Sequence, residues 1–197
     1  MTASDRAEAI RLAQKTIAQN PVYLDTETTG FKKNDVIVEI SIIDHDGSPL
    51  VDTLVKPNKH IPYDAIEIHH ITNEMVQIAP TWAEVWPEVE AAIAGRVVGI
   101  YNADFDIRLI KQTHAHNQMR WSKPNGASFF DIMEAYAQFY GQWNSRHGNY
   151  RWQSLEKAGV QCGLSLPNSH RALDDTLLTR AVLHYMAKQG EQQLTFF

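Results

Sequence analysis

The chain has 197 residues, of which 44% are hydrophobic and 21% charged, with a formal net charge of −5. This length is typical of one domain, and no stretch approaches the ~18 apolar residues of a membrane-spanning helix, so no membrane partner is expected. An acidic chain has no globally basic surface, so any phosphate-binding surface must be local or built around metal ions. The charged N-terminus is unlike a signal peptide, and the single cysteine, Cys162, cannot form an internal disulfide. A cytoplasmic location is therefore predicted.

The order of the predicted elements indicates the fold class. Apolar residues at three- and four-residue steps predict a helix over residues 3–19, which Asn20-Pro21 ends. Apolar runs separated by turns then predict three strands, at Val22 to Asp25, Val36 to Ile43 and Leu50 to Val55. Helices over about 81–94, 102–117, 132–140 and 171–188 alternate with strands at about 97–101 and 128–131, and 141–151 is predicted to be irregular. This pattern predicts an α/β protein with a mixed β-sheet flanked by α-helices.

Two carboxylates stand at the end of the first predicted strand, just before a glycine turn. Asp25 and Glu27 are two residues apart, so their side chains point to the same face while Thr26 points away. Two neighbouring anions repel each other unless a cation lies between them, and Mg²⁺ binds in this way through carboxylates and substrate phosphates. The pair is consistent with half of a metal site, although a solvated strand end would have the same sequence.

Two further acidic blocks follow, each at the start of a predicted helix. Asp106 lies in the segment from Asn102, where Asn102 or Asp104 is expected to cap the helix, and Asp175 lies five residues after His170. A helix N-terminus favours nearby negative charge, so a carboxylate there is easily kept ionised. Taken singly, Asp106 would be an exposed helix residue and His170 a surface or capping histidine.

The three blocks in this order closely resemble the exonuclease motifs of the DnaQ-like, or DEDDh, 3′→5′ exonucleases. These motifs are Asp-Thr-Glu-Thr-Thr-Gly from Asp25, Asn-Ala-x-Phe-Asp from Asn102 and His-x4-Asp from His170. The resemblance covers about residues 21–188 and implies a ribonuclease H-like fold. It also implies that two Mg²⁺ or Mn²⁺ ions are held by four carboxylates, Asp25, Glu27, Asp106 and Asp175, and that His170 is the general base. Two such ions can clamp the attacking and leaving oxygens of a phosphodiester, and an imidazole accepts a proton near neutral pH.

The wording of the first motif resembles polymerase III epsilon-type proofreading subunits, which favours DNA as the substrate. The resemblance implies release of nucleoside monophosphates from single-stranded or frayed 3′ ends, in proofreading or repair. It also implies that Thr28, Ile68 and His69 lie against the terminal nucleotide, although Ile68 and Ile71 could instead be core residues. Two alternatives stay open: a 3′→5′ exoribonuclease, and an adaptor that binds a polymerase or clamp and hydrolyses only incidentally.

Outside these motifs, two segments suggest contacts with other molecules. Residues 146–152 interleave basic and aromatic side chains, which suits a single strand but also a surface loop with Trp152 turned inward. The tail resembles a sliding-clamp-binding peptide, with Gln193, Leu194, Phe196 and Phe197 as the predicted contacts, or is a frayed terminus. Accordingly, we divide the chain into an N-terminal helical extension, an exonuclease domain and this tail, at residues 1–20, 21–190 and 191–197. Tyr101 stands where many members of the family have histidine, which could alter phosphate contacts.

Overall fold

The computed structural model describes residues 3–166 and 169–190. At its centre is a five-stranded sheet made of β1 (Val22–Thr28), β2 (Ile37–Ile43), β3 (Pro49–Leu54), β4 (Val97–Ile100) and β5 (Ser128–Asp131). The strand order is β3-β2-β1-β4-β5, in which β1, β2 and β3 are antiparallel neighbours and β4 and β5 run parallel to β1. The carboxyl ends of β1, β4 and β5 therefore meet at one edge of the sheet.

Helices cover both faces of this sheet. They are α1 (Ala3–Ile17), α2 (Tyr63–His69), α3 (Trp82–Ile93), α4 (Ala103–His116), α5 (Ile132–Tyr140), α6 (Leu155–Gln161) and α7 (Ala172–Lys188). One core joins α1, α5, α6 and α7 to the sheet face that carries Tyr23 and Ile43. A second core joins α3 and α4 to the opposite face, which carries Val22 and Leu24. Alternating side chains of β1 thus pack against two different sets of helices.

This architecture confirms the predicted α/β fold with a mixed sheet. It differs from the prediction in β1, which continues to Thr28 because Glu27 still pairs with Glu39 of β2. Helices α2 and α6 were not predicted, since seven residues show too little of a helical period. The segment predicted to be irregular contains a short hairpin of β6 (Trp143–Asn144) and β7 (Asn149–Tyr150).

Within residues 3–166 and 169–190, no helix is long and apolar enough to cross a membrane. The predicted clamp-binding residues, Gln193, Leu194, Phe196 and Phe197, lie outside the described residues. The division of the chain into an extension, a domain and a tail stays a prediction. In the fold, Asp25 and Glu27 of β1 lie close to Asp175 of α7, and Asp106 of α4 contacts Thr26 of the same strand.

Candidate active site

Three carboxylates meet where β1 faces α7. Asp25 and Glu27 project from β1 toward this helix, and Asp175 is buried in its first turn. One oxygen from each of the three lies within 4.8 Å of the others. An octahedral Mg²⁺ with ligands at ~2.1 Å spans about 4.2 Å, so the group is close to the size of one ion. Carboxylate oxygens are also the hard donors that such an ion prefers.

The electrostatics of this group favour a bound cation. Burial, followed by the charges of Asp106, Glu27, Asp175 and Glu39, raises the pKa of Asp25 well above its usual range. Burial and the charges of Asp175 and Glu39 likewise raise the pKa of Glu27 to about 9. Both effects penalise the ionised carboxylates, and a divalent cation between them would offset that penalty. The side chains present therefore fit a divalent metal site.

Asp106 approaches the same strand from the other face of the sheet. It is buried in the first turn of α4, where the Thr26 hydroxyl donates to its Oδ1 at 2.7 Å. The structure therefore does not place Asp106 in the group of three carboxylates. Its charge nevertheless acts on that group, because after burial it is the largest influence raising the pKa of Asp25. Burial raises the pKa of Asp106 itself to about 7, although the hydrogen bond from Thr26 opposes this.

Asp131, which ends β5, fixes the start of the helix that carries Asp106. Its Oδ2 accepts from the Ala103 N–H at 2.8 Å, and its Oδ1 accepts from the Glu134 N–H at 3.0 Å, which caps α5. Asn102 holds the N-cap position of α4 with a left-handed φ of 73°, but its side chain makes no capping hydrogen bond. The predicted side-chain cap from Asn102 or Asp104 is thus wrong, because a residue from the neighbouring strand satisfies the first backbone donor.

Glu39 is a second residue that the sequence motifs did not reveal. It is buried on β2 directly opposite Glu27, and both of its oxygens accept from the Arg171 guanidinium, from Nε at 3.1 Å and also from Nη2. Its Oε2 also accepts from the Ala172 N–H at 2.9 Å, at the first turn of α7. Glu39 therefore holds the helix that carries Asp175, and Arg171 compensates the extra negative charge.

We expect Glu39→Gln to lower both stability and turnover. The glutamine amide presents an N–H donor to the Arg171 guanidinium in place of one carboxylate oxygen. Since Arg171 is half-exposed, we expect this change to lower the free energy of unfolding by about 1–3 kcal/mol and Tm by about 3–8 °C. Because α7 then shifts relative to β1, kcat should fall more than KM rises. Differential scanning fluorimetry and steady-state kinetics measure both effects. In the surface pair of Glu8 with Arg11, Glu8→Gln is the matched control and should change Tm by less than about 2 °C. Equal Tm values for Glu39→Gln and the wild type would contradict this role.

His170 precedes this helix at the surface. It is exposed, with a left-handed φ of 52°, immediately before the N-cap residue Arg171. A positive φ is uncommon outside glycine, and strained backbone of this kind concentrates at functional sites. Residues 167 and 168 lie outside the described part of the chain. The anchoring of Arg171 by Glu39 therefore also fixes the backbone from which His170 projects.

A pocket of about 330 Å³ opens beside the carboxylates. Its walls include Thr28, Ile68 and His69, together with Phe31 and Phe105, whose ring centroids lie 5.8 Å apart. Phe31 is 71% exposed and Ile68 is 40% exposed, so both present apolar surface at the pocket. Ile68 thus lines the pocket rather than filling the core. In contrast, Ile71 is fully buried in a small cluster under α2.

Hydrogen bonds connect the walls of this pocket to the backbone and to each other. His69 is buried, with its Nε2 3.2 Å from the Thr28 carbonyl and its Nδ1 accepting from the Ile71 N–H at 3.0 Å. Both ring nitrogens are therefore engaged by backbone, and His69 supports the pocket wall. On the other side, Asp35 accepts from Thr29, Lys32 and Lys59 at 2.7–2.9 Å. Gly30 has a φ of 141°, and a Cβ there would lie 2.8 Å from the Asp35 carboxylate.

The family to which this chain belongs follows from comparison with known proteins. Residues 22–183 match the RNase T-type family model described as exonuclease, so the chain is a member of that exonuclease family, as the motifs predicted. It is 37% identical over 185 residues to the uncharacterized exonuclease CP81 of Escherichia phage 186, which covers 90% of this chain and 93% of that protein. It is also 32% identical to the DNA polymerase III subunit epsilon of Treponema pallidum, over 84% of this chain and 78% of the subunit.

Solved structures of other exonucleases have the same fold. Exonuclease X, in complex with 5′-overhanging duplex DNA, is 25% identical and superposes with a TM-score of 0.63, covering 86% of this chain and 92% of that one. Exonuclease I superposes with a TM-score of 0.70 over 89% of this chain and 42% of that one, at 18% identity. The latter similarity concerns the fold alone. Together with the family match, these likenesses identify a nuclease of the ribonuclease H-like fold.

Proposed function

We propose that the protein is a divalent-metal-dependent 3′→5′ exonuclease that removes nucleoside monophosphates from single-stranded or frayed DNA ends. The single observation that supports this most is the meeting of Asp25, Glu27 and Asp175 within 4.8 Å, in a family of exonucleases. We place the activity in DNA proofreading or repair in the cytoplasm. The epsilon subunit among its relatives supports that setting.

Each polar residue has a distinct role in the proposed reaction. Asp25, Glu27 and Asp175 would hold two Mg²⁺ or Mn²⁺ ions together with Asp106, whose charge acts on Asp25. When bound, these ions supply positive charge that stabilises the transition state of phosphodiester hydrolysis. His170 acts as general base and accepts the proton of the attacking water. Thr26 keeps the Asp106 carboxylate oriented toward the strand, and the Glu39–Arg171 pair keeps α7 in place.

The pocket beside the carboxylates suits the terminal nucleotide. Phe31 and Phe105 offer aromatic faces on which a base can stack, and Ile68 offers an apolar edge. Lys32 also lines the pocket, where its ammonium can meet a phosphate. Thr28 and His69 shape the wall nearest the carboxylates. This arrangement favours an enzyme that grips one chain end over one that coats a duplex, in keeping with the net charge of −5.

A labelled oligonucleotide tests the polarity and the substrate together. With Mn²⁺, a 5′-labelled single-stranded DNA should shorten in single-nucleotide steps, and a circular single strand should persist. An RNA of equal sequence distinguishes the exoribonuclease alternative. Faster shortening of RNA would overturn the DNA assignment, and cleavage of the circle would overturn the exonuclease proposal. If neither substrate is cleaved but a polymerase or clamp is bound, the adaptor alternative gains support.

The C-terminal tail is proposed to dock on a sliding clamp through Gln193, Leu194, Phe196 and Phe197. The sequence pattern supports this docking, because apolar anchors on an extended segment can fill a pocket of the partner. Full-length protein and a form lacking residues 193–197 should differ in a pull-down with the clamp. A scrambled tail of the same composition is the control. Equal clamp binding by both forms would remove the proposal.

A further inference from the structure

The β6–β7 hairpin projects from the domain but is firmly anchored at its base. Trp143 pairs with Tyr150, and their rings meet edge to face with centroids 5.2 Å apart. The Tyr150 hydroxyl donates to Asp5 at the start of α1, at 2.7 Å. The tip of the hairpin turns at Gly148, which has a φ of 66°. The hairpin is thus a fixed projection whose tip is free to meet another molecule.

A second anchor joins the hairpin to the strand beside the carboxylates. Tyr101 is buried, and its hydroxyl donates to the Gln153 carbonyl at 3.0 Å. Tyr101 directly follows Ile100, which pairs with Leu24, the residue before Asp25 on the neighbouring strand. Trp152, the residue before Gln153, is therefore linked through Tyr101 to the end of β4, the neighbour of the strand that carries Asp25. The Tyr101 phenol thus connects the segment after the hairpin to the end of β4.

The projecting surface has the composition that holds single strands. Trp143 and Trp152 are 50% and 63% exposed, although tryptophan is usually well buried. Arg146, His147 and Arg151 are exposed around them. No aspartate or glutamate occurs in residues 135–155, in a chain whose net charge is −5. The alternative in which Trp152 turns inward is wrong, and the local charge complements a phosphate backbone.

We propose that these five residues, Trp143, Arg146, His147, Arg151 and Trp152, form a single-strand-binding surface, here termed the hairpin surface. It holds the nucleotides on the 5′ side of the one being removed, with bases stacked on the indoles and phosphates near the arginines. The proposal rests on the proposed exonuclease function. The terminal pocket is built by β1, α2 and the start of α4, whereas the hairpin joins the end of β4 and α1. The two surfaces are therefore built from different elements of the fold.

Substrate length is the variable that isolates this surface. The p-nitrophenyl ester of thymidine 5′-monophosphate fills the terminal pocket alone, whereas a twelve-residue oligothymidylate also reaches the hairpin surface. We expect the ratio of kcat/KM for the oligonucleotide to that for the ester to fall about tenfold in Trp143→Ala/Trp152→Ala. In Arg146→Ala/Arg151→Ala the ratio should also fall, and the salt dependence of oligonucleotide binding, measured by fluorescence anisotropy, should become shallower.

Arg120→Ala is the matched control. Arg120 is exposed beyond the far end of α4, a helix that begins at the carboxylate edge and extends about 20 Å from it. This variant should keep the wild-type ratio. If both double variants keep the wild-type dependence on substrate length, the assignment of the hairpin surface is overturned while the exonuclease function stands. If the wild type hydrolyses neither the ester nor the oligonucleotide, the proposed function itself is overturned.

Discussion

Replacing Glu27 by glutamine, or Asp25 by asparagine, should abolish hydrolysis and at the same time stabilise the metal-free protein. The loss of activity should be at least about 1,000-fold, because each change removes a ligand from a site that stabilises transition-state charge. The stabilisation follows from the position of both carboxylates in a buried acidic group. A neutral amide of the same shape removes the repulsion without leaving a cavity.

The sign of the stability change follows from the pKa of Glu27. Without metal, burial and the charges of Asp175 and Glu39 raise this pKa from 4.5 to about 9. The folded state therefore binds the proton more tightly than the unfolded state, so the metal-free protein loses stability as the pH rises from about 4.5 toward 9. At pH 8 the half-buried Glu27 should lower the free energy of unfolding of the metal-free protein by about 1–2 kcal/mol. Glu27→Gln should therefore raise Tm by about 2–6 °C.

Thermal unfolding with EDTA and with Mg²⁺ measures this trade-off. Saturating Mg²⁺ should raise the Tm of the wild type by about 5–10 °C and have little effect on Glu27→Gln. Glu88→Gln, at an exposed position of α3, is the matched control and should behave as the wild type in both buffers. A lower Tm for Glu27→Gln in EDTA, or a full response of that variant to Mg²⁺, would show that the carboxylates do not form a repulsive metal site.

His170→Ala should reduce kcat by about 100- to 10,000-fold, the usual contribution of a general base. The variant should keep the stabilisation by Mg²⁺, because His170 is not in the carboxylate group. Its remaining activity should rise steadily with pH, since hydroxide in solution then replaces the missing base. This combination separates loss of the base from loss of the metal site.

The pH–rate profiles of the wild type and His170→Ala provide that measurement, with Mn²⁺ held at saturation. His45→Ala, at the exposed turn between β2 and β3, is the matched control and should retain the wild-type profile. An unchanged kcat in His170→Ala would remove this residue from the reaction. Loss of the Mg²⁺-induced rise in Tm would assign it to metal binding instead.

The residues that could be predicted from sequence share a strong local pattern. Asp25 and Glu27 are fixed on one face by strand alternation, and Asp175 by the opening of a long helix. Glu39 could not be found in this way, because its partner Arg171 is 132 residues distant in the sequence. In addition, the register that pairs Glu39 of β2 with Glu27 of β1 cannot be predicted from the sequence of either strand. Asp131 gave one weak signal, an aspartate between a short strand and a helix.

Exposure of individual side chains was the other quantity that sequence left open. Ile68 and Ile71 have the same side chain three residues apart, yet Ile68 faces the pocket and Ile71 is fully buried. The difference arises because α2 ends at His69 and His70 takes a left-handed conformation, which turns the chain inward. Trp152 is similar: it is 63% exposed, and the residue after it, Gln153, accepts a hydrogen bond from the distant Tyr101. Such outcomes depend on tertiary contacts rather than on local propensity.

We propose that Asp25, Glu27 and Asp175 form a divalent-metal site at which a 3′ end is hydrolysed. Its most direct test is anomalous X-ray scattering at the manganese edge from crystals of the full chain soaked with Mn²⁺ and a nucleoside monophosphate. We expect a manganese peak bounded by these three carboxylates, with the nucleotide base between Phe31 and Ile68. Crystals of an active preparation that bind the nucleotide but show no manganese at this group would contradict it.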